Sequence, residues 1–191
     1  TESWDSATTA IGTAVATQSI SVAAEVPGTV RTLRFESGET VTRGEVLLTL
    51  DDSIERAQLA SAVAEVELAQ VTLARVGSLA GRDAVAQSEL DVARARLAQA
   101  QASVSALRAT IAKRTIRAPF AGRLGIREVD LGEVVQPGAP LVSLQSLDPI
   151  YVDFRLPERS LSTVTTGNAL RATSALFPGE VLEGRVETID T

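Results

Sequence analysis

The sequence predicts an α+β chain of several modules. A small β-sandwich is assembled from two separated halves, an antiparallel coiled-coil hairpin of helices is inserted between them, and a further, partial β-sheet is built from the two ends. Three observations predict this. Residues 53–113 contain no proline and repeat apolar residues every seven positions on each of two arms. A glycine-punctuated β pattern occurs twice, 94 positions apart, once on each side of those arms. The terminal segments alternate apolar and polar residues with period two. The arms take about a third of the 191 residues, so an elongated, multi-domain chain is expected rather than one large core.

Residues 1–18 alternate weakly through Thr9, Ile11, Thr13, Val15 and Thr17, an edge-type strand with Gly12 as a bulge. Trp4, in a polar lead-in, reads as a ring capping a small core. Residues 20–50 are short β runs split by Pro27-Gly28, by Glu36–Glu39 and by Thr42–Gly44, ending in Val46–Leu50. Asp52 followed by Glu55 is a capping-box pattern that opens the first helical arm. That arm places Leu59, Val66, Leu73 and Ala80 at one seam position and Ala62, Ala69 and Val76 at the other. Gly81-Arg82-Asp83 is the reversal, with Asp83 or Ser88 as the next cap. The second arm repeats the seam with Leu90, Leu97, Val104 and Ile111, and with Ala93, Ala100 and Leu107, and ends on Lys113-Arg114, cations that suit a helix C-terminus. Each arm of about 28 residues should be roughly 40 Å long.

After the arms the β pattern returns. Shifting the chain by 94 positions superimposes Gly28 on Gly122, Gly38 on Gly132, Glu39 on Glu133, Val41 on Val135, Gly44 on Gly138, Leu47 on Leu141 and Leu50 on Leu144. Matched glycines point to the same turns at positive φ. Neither half can bury its apolar face alone, so the two should pair into one sandwich. In the last segment Ile150–Leu156 reads as a half-buried strand, 157–163 as a short helix opened by Pro157, and Ala169–Leu176 and Val181–Ile189 as strands around Pro178-Gly179. With the first 18 residues this makes about four strands and an open edge, so a continuation that closes the sheet is expected beyond these residues.

Composition excludes several function classes. The net charge of −6 and pI of about 4.8 argue against a nucleic-acid partner. The sequence has no Cys, His or Met, which removes disulfides, thiol chemistry and soft-metal sites. No glycine-rich phosphate loop opens a helix, so no enzyme and no cofactor are expected. Asp51-Asp52, although a carboxylate pair, stands directly before a helix and reads as a cap. No run of 18 apolar residues spans a membrane. A chain that starts at Thr1 and lacks methionine is expected to be a processed or trimmed product, whose anchor or export signal would lie outside it.

The motifs Val26-Pro27-Gly28-Thr29-Val30, Gly38-Glu39-x-Val41-x-x-Gly44-x-x-Leu47, Ile116–Gly122 and Pro149–Phe154, placed around a heptad hairpin, carry a resemblance that covers essentially residues 10–190. The sequence resembles the periplasmic adaptors, or membrane fusion proteins (HlyD-like), of tripartite multidrug efflux pumps, and looks most like those of the resistance–nodulation–division (RND) class. The resemblance implies a lipoyl-like sandwich (19–51 and 114–147), the coiled-coil hairpin (52–113), a partial β-barrel domain (1–18 and 148–191), and a membrane-proximal domain expected outside this chain. It implies a non-catalytic coupler in the periplasm, attached to the inner membrane by a lipid anchor or an N-terminal helix. That coupler joins an RND transporter to a TolC-like outer-membrane channel, with self-association, commonly as a hexamer.

The resemblance also implies site residues. At the hairpin tip the family often shows Arg-x-x-x-Leu, a Ser seven residues on and an Asp five further. Arg75, Leu79 and Asp91 match, Arg82 lies between them, and Ala86 replaces the Ser, removing a hydroxyl. These five are the expected channel contact. Tyr151, Asp153, Phe154, Arg155 and Glu158 are the expected transporter-side group. Arg56, Glu67, Arg94 and Arg96 are rod charges that can set register between neighbouring rods. Two alternatives stay open at this point. An adaptor of an ATP-driven exporter fits the same motifs. A lipoyl or biotin carrier shares the sandwich but needs an acylable lysine on a tight turn, and the sole lysine, Lys113, stands at the base of the rod.

Overall fold

The structure, a computed structural model, describes residues 9–80, 86–157, 164–174 and 177–190. Trp4, Arg82, Asp83, Glu158 and, apart from Pro157, the helix expected over 157–163 lie outside the described residues. The chain divides into two compact units, one of Ala16–Pro149 and the other of the N-terminal segment through Val15 with the segment from Ile150 onward.

In the larger unit eight strands form two four-stranded sheets. The strands are β2 (Ser19–Ala23), β3 (Gly28–Leu33), β4 (Thr40–Val41), β5 (Val46–Leu50), β6 (Thr115–Arg117), β7 (Gly122–Arg127), β8 (Val134–Val135) and β9 (Pro140–Gln145). One sheet has the order β2-β9-β7-β4, the other β6-β5-β3-β8. Moving 94 positions exchanges β2 with β6, β3 with β7, β4 with β8 and β5 with β9, and so turns one sheet into the other. The copies therefore do not form one sheet each, because every sheet mixes strands from both.

The core repeats the symmetry residue by residue. The clustered buried side chains fall into eight pairs 94 positions apart: Val22 with Ile116, Ala24 with Ala118, Val30 with Leu124, Phe35 with Val129, Val41 with Val135, Leu47 with Leu141, Leu48 with Val142, and Leu50 with Leu144. Backbone hydrogen bonds follow. The Val30 N–H donates to Glu133 O at 2.8 Å, and the Leu124 N–H to Glu39 O at 2.8 Å. The matched Gly38 and Gly132 lie at φ 82° and 83°, where only glycine is unstrained, as the repeat predicts. Gly28 and Gly122 are a correction. Neither has positive φ; a side chain there would instead collide with Arg114 and Leu50, or with the Gln145 backbone.

The rod is α1 (Ser53–Ala80) and α2 (Gln87–Lys113). All fourteen seam residues expected from the heptads are at least partly buried, and Ala69, Ala93, Ala100 and Val104 are buried. Small alanines at the seam let the helices approach closely, and long straight-chain and alanine residues elsewhere keep helix propensity high.

Three local expectations change. The capping box does not form, because Glu55 pairs with Arg114 and Asp52 with Arg56 and Arg31. Asp51, not Asp52, receives a backbone bond, from the Ser53 N–H at 3.1 Å. Ser88 sits inside α2, whose N-cap is Ala86 with no side-chain cap bond.

In the second unit, β1 (Gly12–Ala16) pairs with β10 (Ile150–Phe154), and β11 (Ala169–Ser174) pairs antiparallel with β12 (Phe177–Arg185). Gly12 opens its strand rather than bulging; a methyl there would stand 2.6 Å from Val152 Cγ1 and 3.1 Å from Asp153 O. Pro178-Gly179 lies within β12 instead of between two strands.

Candidate functional site

Two groups of expected contact residues lie at recognisable places. Arg75 and Leu79 stand on the last two turns of α1, and Leu79 is 38% exposed although it is a large apolar side chain. Ala86 is the N-cap of α2 and exposed. Asp91 lies on the second turn of α2, beyond the first-turn position of a dipole-stabilising acid, which Glu89 takes. Among the described residues its carboxylate accepts two long bonds, from Gln87 Nε2 and Arg94 Nη1, both 3.4 Å, and it remains 61% exposed. Near this end a methyl on Gly77 would touch Leu90 at 4.0 Å, so the two helices are still side by side at this level. Among the described residues this end presents the exposed Leu79, Arg75 with no ion pair, and the weakly committed Asp91.

The second group belongs to the other unit. Tyr151 and Asp153 face solvent from β10, Phe154 is half-buried, and Arg155 follows the strand and is exposed. The Tyr151 hydroxyl hydrogen-bonds Glu187, whose carboxylate raises the phenol above its ordinary value. This group is therefore anchored at its tyrosine, while Asp153 and Arg155 have no ion pair among the described residues.

Sequence reasoning missed the root of the rod. Arg114, read as a helix-end charge, instead turns inward: its Nη1 donates to Asp51 O at 2.7 Å and its Nη2 pairs with the Glu55 carboxylate. Side-chain exposure there is 18% for Arg114 and 14% for Glu55. Beside it, the buried Asp52 accepts from Arg56 Nε at 2.8 Å, and its other oxygen lies 3.7 Å from Arg31. Nothing in the local pattern reveals these contacts except an unusual density of charge at both ends of the inserted segment.

The Arg56 hydrogen bond, reinforced by the Arg56 and Arg31 charges, holds the Asp52 carboxyl below the ordinary carboxylate value, against the opposing effect of burial. A folded-state pKa below that of the free chain stabilises above the ordinary value near 4 and is lost as pH falls through the folded value. Asp52→Asn should thus cost about 1–2 kcal/mol at pH 7. The gap to the parent should shrink when melts are repeated at about pH 3; a gap that stays constant would assign the effect to shape rather than charge.

The family model of the CzcB-like barrel-sandwich hybrid domain matches residues 18–145. The multidrug resistance protein MdtA of Proteus mirabilis is 35% identical over 172 residues, 82% of this chain and 42% of its own length. An uncharacterized protein of Haemophilus influenzae is 34% identical over 163 residues, 85% of this chain and 43% of its own length. The chain thus spans less than half the length of these relatives.

Among solved structures, a MacA-MexA chimeric protein containing the Pseudomonas aeruginosa MexA α-hairpin domain superposes with a TM-score of 0.81 at 21% identity, over 94% of this chain and 66% of that one. A putative efflux transporter from Bacteroides eggerthii superposes at 0.76 with 22% identity, over 90% and 53%. These two share the fold. From the eight-pair core, the inserted hairpin and the family match over 18–145, the chain belongs to the CzcB-like barrel-sandwich hybrid family.

Proposed function

We propose that the chain is the connecting part of a periplasmic adaptor in a tripartite pump, joining an inner-membrane RND transporter to a TolC-like outer-membrane channel for the export of drugs or other toxic small molecules. The observation that carries this reading is the inserted two-helix rod, with a closed seam and the exposed side chains of Arg75, Leu79 and Asp91 near its far end, rising from the sandwich of a family member. The tip group of Arg75, Leu79, Arg82, Ala86 and Asp91 is assigned to the channel, and Tyr151, Asp153, Phe154, Arg155 and Glu158 to the transporter side. Within the pump the sandwich comprises 19–51 and 114–147, the hairpin 52–113, and the partial barrel 1–18 and 148–191. The coupler performs no chemistry in this reading and works by geometry.

Self-association as a ring of about six copies is supported by the outside of the rod. A two-stranded coiled coil needs one seam per helix, yet each helix carries a second heptad stripe on its opposite face. On α1 it includes Ile54, Ala57, Ala64, Leu68 and Val71, and on α2 Val92, Ala95, Ala102, Ala106 and Ala109, all exposed. Val71 and Val92 are 67% and 68% exposed. Two opposed stripes let α1 of one rod pack against α2 of the next, a head-to-tail contact that closes into rings. Of the four charges expected to set register, Arg56 and Arg94 are occupied by Asp52 and Asp91. Glu67 and Arg96 have no ion pair among the described residues and are free to pair between copies.

The test is co-purification from membranes with the full-length protein, carried out together with Leu79→Asp and Arg75→Asp. Recovery of an RND transporter and a TolC-like channel is expected. Both variants should abolish drug resistance while shifting the melting temperature by less than about 2 °C, because surface changes of this kind cost under roughly 0.5 kcal/mol. Wild-type resistance in both variants would overturn the tip assignment, and recovery of an ATP-driven transporter would overturn the RND partner.

A further inference from the structure

The rod leaves the sandwich through two short junctions. On one side only Asp51 and Asp52 separate β5 from α1; on the other, Arg114 is at once the C-cap of α2 and the residue before β6. The backbone ties these junctions together, with the Leu50 N–H donating to Arg114 O at 2.8 Å and the Asp51 N–H to Thr29 O at 2.8 Å. The Arg114 side chain adds a second layer. Its guanidinium pairs with Glu55 on the first turn of α1, donates to Asp51 O in the junction at 2.7 Å, and reaches Pro27 O in the turn before β3 at 3.5 Å. One planar group thus touches the rod, its junction and the sandwich.

The pseudo-symmetry of the sandwich supplies an internal control. The position 94 residues before Arg114 is Ile20, at the end of the sandwich that bears no rod, and it is 40% exposed. That end closes without an arginine, so the sandwich fold does not itself require one. Gly28 points the same way. A methyl there would come within 2.9 Å of Arg114 Nη1, so the glycine leaves room for the guanidinium, whereas its counterpart Gly122 is held against the Gln145 backbone. Arg114 Nε is buried with no hydrogen-bond partner, an orientation that favours the two Nη groups at the expense of the third nitrogen.

From these contacts we infer that Arg114 is a positioning residue: it clamps the root of the rod onto the sandwich and sets the direction in which the rod leaves. A lysine cannot replace it, because a single ammonium lacks the fork that spans a carboxylate and two carbonyls on different elements. The inference goes beyond the adaptor reading and does not depend on which pump the rod serves. Over a rod of roughly 40 Å, a change of a few degrees at the root moves the tip by several ångström, more than a side-chain contact tolerates.

The experiment uses the chain's lack of cysteine. Nitroxide labels are placed at Ala74→Cys on the rod and Gln136→Cys on the sandwich, both exposed, and the distance distribution is read by pulsed electron paramagnetic resonance. A second pair, Ala74→Cys with Gln99→Cys, reports on the rod alone. Arg114→Met should broaden the rod-to-sandwich distribution at least twofold and leave the rod-internal distribution and helicity unchanged. Glu55→Gln, which keeps the shape and removes the charge, should broaden it in the same direction by less, and it decides the matter if Arg114→Met does not fold. An unchanged rod-to-sandwich width in the folded variant overturns the proposal. So does broadening of the rod-internal pair, which would make Arg114 a support of the rod's own fold.

Discussion

Gly122→Ala is expected to lower the melting temperature by about 10 °C, while Gly28→Ala, its counterpart one repeat earlier, should lower it by about 3 °C. The two glycines occupy the same position in the two copies and look interchangeable in the sequence. Their surroundings differ in kind. A Cβ at Gly122 would stand 2.2 Å from Gln145 O and 2.8 Å from Gln145 C, atoms of the β9 backbone. β9 is paired on both sides, with β2 and β7, and cannot retreat without breaking a ladder. At Gly28 the nearest atoms are Arg114 Nη1 at 2.9 Å and Leu50 side-chain carbons at 3.3 Å, which can shift. Overpacking against fixed backbone costs about 3 kcal/mol, against about 1 kcal/mol where side chains give way. Calorimetry of the two variants checks this, and equal shifts would show that the Gln145 strand moves more easily than its hydrogen bonding implies.

The second large effect comes from the core. Leu47→Ala and Leu141→Ala should each cost about 3 kcal/mol, and the two costs should agree within roughly 1 kcal/mol. Both leucines are 1% exposed, both lie in the last strand of their copy, and both belong to the one cluster of paired buried residues. Ordinary cores give a wide spread for this substitution because the collapse around each cavity differs. Here the cavities are related by the internal repeat, so the spread should narrow. If one variant were at least twice as destabilised as the other, the repeat would describe backbone and burial but not packing.

The fold was legible because its determinants are periodic. Heptads at Leu59, Val66 and Leu73, answered by Leu90, Leu97 and Val104, need only spacing to be read. The repeat of Gly38 and Gly44 at Gly132 and Gly138 is equally visible, since a left-handed turn admits few residues. What the sequence conceals is contact between distant residues. Glu55 and Asp52 form a good local capping pattern, yet Arg114, 59 positions beyond Glu55, claims its carboxylate, and an ion pair to arginine outweighs a bond to a solvated helix end. Gly28 and Gly122 were misassigned for the same reason: close approach depends on the strand alongside, which no local motif encodes. The tip assignment rests on family likeness alone, as Arg75, Leu79 and Asp91 are ordinary helix-surface residues with no distinguishing pattern of their own.

The interleaving of strands has a consequence for how this protein is made. During synthesis the first half, through Leu50, emerges with β2 and β4 lacking the neighbours that flank them in the finished sheet, because β7 begins only at Gly122 and β9 only at Pro140. Helices form within microseconds from contacts close in the chain, far faster than translation proceeds. By zipping its own seam, the rod brings Leu50 and Arg114 side by side and removes most of the entropy of closing that gap. The insertion that reaches outward in the mature molecule thus also serves, at birth, as the fastener that lets two distant stretches find each other.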